Sequence, residues 1–444
     1  MFKEHRFRHK IMACLLGLLC LFLVASCVVG VFINEKVPSR VLPVISGKPA
    51  QLQNKAAASL VADFDSGQII AEKNPNQNLA IASTSKLLTA YLVYQAVQQK
   101  KLSWQQRIKV TPQIQALSRN SELMNIPLQA GQAYTVKELL DATLLISSNA
   151  TGILLGDAIS GNQRNFADLM NRTTASFGIP SSQYHFYNAV GINNVYLSGQ
   201  DKIPKALDND ENVASAKALT TIANRLFKKY PKVIKEMQSP ELFFPFPASD
   251  YAFCGDSVLT RFNKQFPQDA KVFSIVKSGA SEAAGSVLLA LTNKMPNGHR
   301  YIVLTMHASD YTNLWPTWDL TAKTAAQVSR QGSYLSIPKN TQISGAENLY
   351  LQKTSPSRIA LQNASSINFW TSGKRKQVSA NHIAYDRRSA NIAKDSILVT
   401  RINNLRDFDY LYGQKPVGKL YLKTMRSAVW QLNPFVRYWR WLTH

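Results

Sequence analysis

The 444-residue sequence predicts an α+β fold built on an antiparallel sheet. Three observations carry that expectation. A strand hairpin comes first, a long helical stretch follows, and a strand meander with a closing helix completes the region, so sheet and helices fall in separate runs. From about residue 336 the pattern changes to short β-runs divided by turn residues, which predicts a small β-rich C-terminal module. Hydrophobic residues make up 45% and charged residues 18%, so most of the chain can bury a core rather than stay disordered.

The N-terminus decides the compartment. Lys3, Arg6, Arg8 and Lys10 precede residues 11–33, which carry no charged side chain. That run exceeds the roughly 20 apolar residues needed to cross a bilayer core. Basic residues before it place the N-terminus in the cytoplasm and everything after residue 34 outside the cell membrane. A cleaved signal segment is the second reading, although its apolar region usually runs only about 7–15 residues. Val24-Ala25-Ser26-Cys27 admits a third, a lipoprotein, against which the apolar run continues to residue 33. The formal charge of +24 then suits anionic membranes and wall polymers rather than nucleic acid. Cys254 is the one cysteine beyond the apolar segment, so no internal disulfide is available there, and it is expected as a small buried residue.

The elements follow in order. Residues 34–53, with Pro38, Pro43, Gly47 and Pro49, read as a linker. Runs 59–64 and 68–72 flank the turn Asp65-Ser66-Gly67 as a hairpin. Helical spacing begins at Ser83 with Leu87, Leu88, Tyr91 and Leu92. Thr135-Val136-Lys137-Glu138 is a capping box opening the apolar helix to Leu145. Helices are expected over 166–177 and 214–229, strands over 272–277, 286–292 and 301–307, a two-residue hairpin at Asn297-Gly298, and a closing helix over 317–329. The resulting division is a basic cytoplasmic tail 1–10, a membrane anchor or signal segment 11–33, a linker 34–53, the main domain 54–335, the β-rich module 336–426 and an amphipathic tail 427–444.

Three short motifs carry chemistry. In Ser83-Thr84-Ser85-Lys86, positions i and i+3 share a helix face, so the Ser83 hydroxyl and the Lys86 amine can meet. A serine needs a base to become a nucleophile, and a lysine serves once burial or neighbouring positive charge lowers its pKa. Ser274-Ile275-Val276-Lys277 has the same spacing in a strand, where i and i+3 face opposite ways and cannot pair. Ser147-Ser148-Asn149 follows an apolar helix, where Ser147 can relay a proton and Asn149 can hold an amide. Lys277-Ser278-Gly279-Ala280 lies on an edge-like strand; it offers positive charge, a hydroxyl for a carboxylate, and at Gly279 a backbone without a side chain. Each motif alone is as well explained by an ordinary helix pair, helix end or strand.

Together, in this order, they resemble the penicillin-recognising serine enzymes. Residues 82–89, 131–136, Asn188-Ala189-Val190-Gly191-Ile192 and 277–285 are similar to low-molecular-mass penicillin-binding proteins, the serine D-alanyl-D-alanine carboxypeptidases, and the likeness runs over about residues 59–329. The resemblance implies a penicillin-binding/β-lactamase-like domain over 54–335, with Ser83, Lys86 and Ser147 catalytic and Asn149, Lys277, Ser278, Gly279 and Ala280 on the substrate. It implies an oxyanion hole from the N–H groups of Ser83 and Ala280, peptidoglycan stem peptides ending in D-Ala-D-Ala as substrate, and β-lactams as inhibitors. Ser278 stands where Thr is usual, Ser148 where Gly is common and Ala150 where Asp is common; 201–213 and 243–270 look like insertions. A class A-like β-lactamase and a non-catalytic wall- or β-lactam-binding protein of the same fold remain open. No metal or cofactor is expected, since His185, His299, His307 and His382 lack ligand spacing.

The tail is basic and aromatic. Lys415, Lys419, Lys423, Arg426, Arg437 and Arg440 meet no acidic residue up to His444, and Asn433-Pro434 suits a helix start. Phe435, Tyr438, Trp439 and Leu442 then share one face, fitted either to a membrane surface or to the β-module.

Overall fold

A computed structural model describes residues 45–246, 251–331, 333–351, 354–355, 358–371, 377–380, 391–414, 419–430 and Tyr438. The apolar run 11–33 and the helix expected from Asn433 lie outside the described residues, Tyr438 apart. Among the described residues no helix is long and apolar enough to cross a membrane.

The central sheet is made of β1 (Ala50–Gln51), β2 (Ala58–Asp63), β3 (Ile69–Lys73), β4 (Phe273–Ser281), β5 (Gly285–Thr292) and β6 (Tyr301–Met306). They lie in the order β4-β5-β6-β2-β3-β1, antiparallel except for β1 with β3. Period-2 alternation sends Leu60, Leu289 and Leu304 to one face and Val61, Leu288 and Val303 to the other. Both sets are buried, so both faces must be covered. One is covered by α1 (Lys86–Gln98), α2 (Val136–Leu145), α3 (Asn149–Ser160), α4 (Gln163–Ser176) and α5 (Ala216–Lys229). The other takes α6 (Val258–Gln265) and α7 (Trp315–Gln331), where Phe262, Trp318 and Ala322 fill the core. The capping box at Thr135 is present: Glu138 N–H donates to Thr135 Oγ1 at 3.2 Å and Thr135 N–H to Glu138 Oε2 at 2.7 Å.

Several expectations need correction. Asn297-Gly298 forms the hairpin tip, but Pro296 lacks the N–H that a two-residue turn would pair with His299. Met295 takes that place, its N–H donating to His299 O at 2.9 Å, and Gly298 at φ +82° completes a three-residue loop. Cys254 is exposed, on the hairpin formed by Glu241–Pro245 and Ala252–Asp256. The stretch read as an insertion contributes Phe244, Val258 and Phe262 to the buried core. Within the expected linker, Ile45–Ser46 pairs in parallel with Leu405–Arg406, and Ala50–Gln51 joins the main sheet. The tail boundary also moves: Ala428 is buried in the module core and Val429–Trp430 pairs with Thr354–Ser355.

The β-module carries a four-stranded sheet of Asn348–Tyr350, Arg358–Asn363, Lys419–Thr424 and Ile397–Arg401, with Ile359, Leu361, Phe369, Leu420 and Leu422 inside. Its attachment to the main domain combines buried apolar contacts of Trp370 and Leu411 with specific hydrogen bonds. Gln68, fully buried, donates through Nε2 to Trp370 O at 2.9 Å and accepts from Trp370 N–H at 2.9 Å. Ile69 N–H donates to Asp409 O at 2.8 Å, and Lys217 pairs with the Asp409 carboxylate at 2.8 Å. Replacing Gln68 by Ala strands both backbone groups of Trp370, each a buried polar group without a partner. Gln68→Ala is expected to lower stability by about 2–4 kcal/mol in urea denaturation; a change under about 0.5 kcal/mol, the size usual for a surface substitution, would place the attachment elsewhere.

Candidate active site

Ser83 does not start an α-helix. It lies in a 3-10 turn, Ala82–Ser85, and α1 begins only at Lys86. A 3-10 turn has three residues per repeat and so eclipses positions i and i+3. That geometry brings Lys86 Nζ to 2.6 Å from Ser83 Oγ. The turn is tightly held: Thr84 Oγ1 donates to Ile81 O at 2.6 Å and Ser85 Oγ to Ala82 O at 2.7 Å. Ala82 carries φ +42°, a strained value for a residue with a Cβ.

Lys86 is 0% exposed, and its second contact is Asn149 Oδ1 at 2.7 Å. Burial, and then the charge of Lys277, hold its pKa well below the ordinary lysine value. Asn149 is itself fixed, since its Nδ2 donates to Met124 O at 3.0 Å. Asn125 Oδ1 accepts from the N–H groups of Asn149 and Ala150 at 3.1 and 2.8 Å, capping α3 in place of the unused Ser148 side chain. Ala150 is fully buried. Between α2 and α3 the chain reverses at Ser147, which takes φ +69°.

Lys277 approaches from β4, the edge strand, as expected. It is 1% exposed; its Nζ donates to Ser147 Oγ at 2.9 Å and to Ser278 O at 2.9 Å. Burial, followed by the nearby Arg261 charge, pushes its pKa down to about 7. The strand decoy behaves as its geometry requires: Ser274 Oγ donates to Leu291 O at 3.1 Å and takes no part in the site. Gly279 has a reason beyond ligand access. A Cβ there would stand 2.7 Å from Ile81 O and 3.1 Å from Ser83 N, so only glycine lets β4 lie against the nucleophile turn. Ser278 is half-buried and Ala280 exposed, at the open side of this contact.

Lys86 thus holds Ser83 and Asn149, Lys277 holds Ser147, and the charge of Lys277 acts on Lys86, so that three separate stretches of chain contribute to one site. The family model for D-alanyl-D-alanine carboxypeptidases, Peptidase_S11, matches residues 45–310, more than half of the chain. The chain belongs to this family. The carboxypeptidase DacF of Bacillus subtilis is 22% identical over 213 residues, 48% of this chain and 49% of the relative. DacA of Escherichia coli is 24% identical over 246 residues, 54% of each. The chain thus spans about half the length of these curated relatives. A peptidoglycan synthesis regulatory factor from Streptococcus pneumoniae has the same fold, with a TM-score of 0.68 at 23% identity over 84% of this chain and 99% of that one. The α+β fold expected from the motifs is the one found.

In this D-alanyl-D-alanine carboxypeptidase family member, several residues behind the site escaped motif reading. Asn188 Oδ1 accepts the N–H groups of Val190, Gly191 and Ile192 at 3.1, 2.8 and 3.2 Å, curling the loop into a tight turn. Gly191, at φ +76°, lies where a Cβ would meet Ala82 O at 2.2 Å, so this loop also needs glycine against the nucleophile turn. Asn212 ties the two together: its backbone O accepts from Ile81 N–H at 3.0 Å and its side chain holds Tyr187 N–H and Asn188. Asn125 and Arg261 carried no motif signal. Asn188 and Gly191 stood inside a stretch already similar to the family, whereas Asn212 lay in what looked like an insertion.

Proposed function

We propose that the chain is a serine D-Ala-D-Ala carboxypeptidase, removing the terminal D-Ala of peptidoglycan stem peptides through an acyl-enzyme on Ser83. The carrying observation is the fully buried Lys86 amine, 2.6 Å from Ser83 Oγ, with a second lysine lowering its pKa. A neutral amine in that place takes the Ser83 proton as Oγ attacks the carbonyl between the two D-Ala residues. The N–H groups of Ser83 and Ala280 receive the oxyanion, a contribution of about 3–4 kcal/mol per donor in comparable sites. Ser147, held by Lys277, passes the proton that Lys86 has taken on to the leaving amine as the peptide bond breaks, and Lys86, neutral again, takes a proton from the water that releases the shortened peptide. Asn149 holds Lys86 and a substrate amide, Lys277 and Ser278 the terminal carboxylate, and Gly279 leaves the strand edge open for the peptide. Family membership favours this reading over a β-lactamase or a binding protein without turnover.

Ser83→Ala is expected to abolish covalent labelling by a fluorescent penicillin and D-Ala release, while thermal unfolding is unchanged. Labelling at the wild-type rate would refute the assignment. The Lys86 environment makes a second prediction. The Lys277 charge disfavours a proton on Lys86, so removing it in Lys277→Met raises the Lys86 pKa. The acidic limb of the acylation rate against pH is then expected to move to higher pH, beyond any loss of overall rate. A limb that stays in place would separate the two lysines electrostatically.

We further propose that residues 11–33 form a retained transmembrane anchor and that the catalytic domain works outside the cell membrane of a bacterium. Support comes from the uncharged run and the basic residues before it. The basic, aromatic tail beyond Trp430 is proposed as a second membrane contact. A chain lacking residues 1–33 is expected to sediment with anionic liposomes in a salt-sensitive manner, and further removal of 431–444 to weaken that binding. Equal sedimentation with and without 431–444 would favour a tail docked on the module.

A further inference from the structure

Beside the open end of β4 lies a carboxyl group that the proposed chemistry does not use. Glu211 is only 4% exposed. Its Oε1 accepts from Ser281 Oγ at 2.7 Å, and its Oε2 is buried with no hydrogen-bond partner. No ion pair reaches Glu211 among the described residues. Burial pushes its pKa up to about 7, only partly offset by the Ser281 bond. A buried, unpaired carboxyl is expensive to keep, and a tie of ordinary strength needs only an amide acceptor.

The position of Glu211 explains what the tie holds. Ser281 follows Ala280 and faces Gly285 at the turn between β4 and β5. Ser281 Oγ accepts from Ala284 N–H at 3.0 Å while donating to Glu211, so one hydroxyl locks the turn and anchors it outward. The residue after Glu211 is Asn212, whose carbonyl holds Ile81 N–H and whose side chain holds the Asn188 loop. Two adjacent residues therefore link β4, the nucleophile turn and the Asn188 loop. Gly279 brings the same strand to within contact of Ser83 N, so a small shift of β4 changes the gap between the Ser83 and Ala280 N–H groups.

We propose that Glu211 is a positioning residue, which through Ser281 sets the distance between the Ala280 N–H and the nucleophile turn. This rests on the reading of those N–H groups as the oxyanion hole. In its ionised form Glu211 offers a charge-assisted hydrogen bond, roughly twice as strong as the neutral one an amide would give at this joint. The geometry acts on the transition state rather than on ground-state binding, so its loss appears in kcat.

The test uses the full-length chain in detergent, with D-Ala release from a D-Ala-D-Ala peptide and amide hydrogen exchange of residues 279–285. Glu211→Ala is expected to lower kcat by about 30- to 100-fold, the scale of a misplaced reacting group, with KM within about threefold. Exchange at 279–285 rises in the same variant. Glu211→Gln keeps the acceptor and recovers part of both losses. Ser281→Ala reproduces the Glu211→Ala loss, and the double variant adds nothing to it, as for two members of one joint. Additive losses, a loss confined to KM, or wild-type kcat in Glu211→Ala would each overturn the inference while leaving the carboxypeptidase reading intact. A wild-type chain that releases no D-Ala would overturn both. If Glu211→Ala does not fold, Glu211→Gln and Ser281→Ala alone decide: a loss of kcat with raised exchange in Ser281→Ala and a smaller loss of the same kind in Glu211→Gln support the joint, whereas wild-type kcat in Ser281→Ala, or a Glu211→Gln loss as large as that of Ser281→Ala, refutes it.

Discussion

A lysine amine with no exposure to water is the constraint around which the site is built. Removing an ammonium from solvent costs several kcal/mol unless charge and hydrogen bonds compensate. Neither Lys86 nor Lys277 has a carboxylate partner among the described residues. Each instead finds neutral oxygens: Ser83 and Asn149 for one, Ser147 and the Ser278 carbonyl for the other. With only neutral acceptors available, the compensation is partial, and the surplus appears as lowered pKa values. A carboxylate in the pocket would have stabilised the ammonium forms and removed a base of this kind. The absence of ion pairs is thus a functional constraint on which residue types the walls can contain.

That constraint explains why the walls are built from asparagines, serines and backbone. Asn125, Asn149, Asn188 and Asn212 supply donors and acceptors without net charge, and each is engaged at both ends of its amide or by several N–H groups. Close approach of the three walls needs missing side chains, at Gly191 and Gly279. It also needs a backbone bent into sparsely populated regions at Ala82 and Ser147, each costing roughly 1–3 kcal/mol. The sheet and its two covered faces stabilise the fold sufficiently to hold those turns in place.

Reading the chain in one dimension recovered what repeats or clusters locally. The strands of the sheet showed as apolar runs, the α2 start as a capping box, and the three motifs as short strings with fixed spacing. The 3-10 turn at Ser83 was read as α-helix because both give the same i, i+3 neighbours, and apolar spacing resumes only within α1. Long-range ties left no local mark. Asn212 pairs with Ile81 across 131 positions of chain, and Gln68 with Trp370 across 302. The long gap between the second and third motifs marks 243–270 as a candidate insertion, and sequence alone gives no sign that its Phe262 packs on Trp318 from an element far along the chain. Cys254 misled for a related reason: residue type argues for burial, but alternate positions on its hairpin face outward, with Leu242 and Phe244 buried and Cys254 opposite exposed Phe243.

The electrostatics of the pocket also bear on which ligand it can take. Lys86, Lys277 and Arg261 are three basic groups close enough for the charge of Lys277 to act on Lys86 and that of Arg261 on Lys277, and Arg261 Nε is buried without a partner. Among the described residues none of the three is in an ion pair, and Glu211 is bonded instead to Ser281. Such a pocket attracts an anion, and an anion that enters raises the pKa of every lysine it touches. A ligand carboxylate seated at Lys277 would therefore return positive charge to Lys277, and that charge would in turn oppose protonation of Lys86. Binding a carboxylate at one lysine thus helps keep the other neutral, provided the anion stays nearer Lys277 than Lys86. The hydrogen bonds give the two amines different partners, Ser147 and the Ser278 carbonyl for Lys277, Ser83 and Asn149 for Lys86, and it is this separation that the coupling requires.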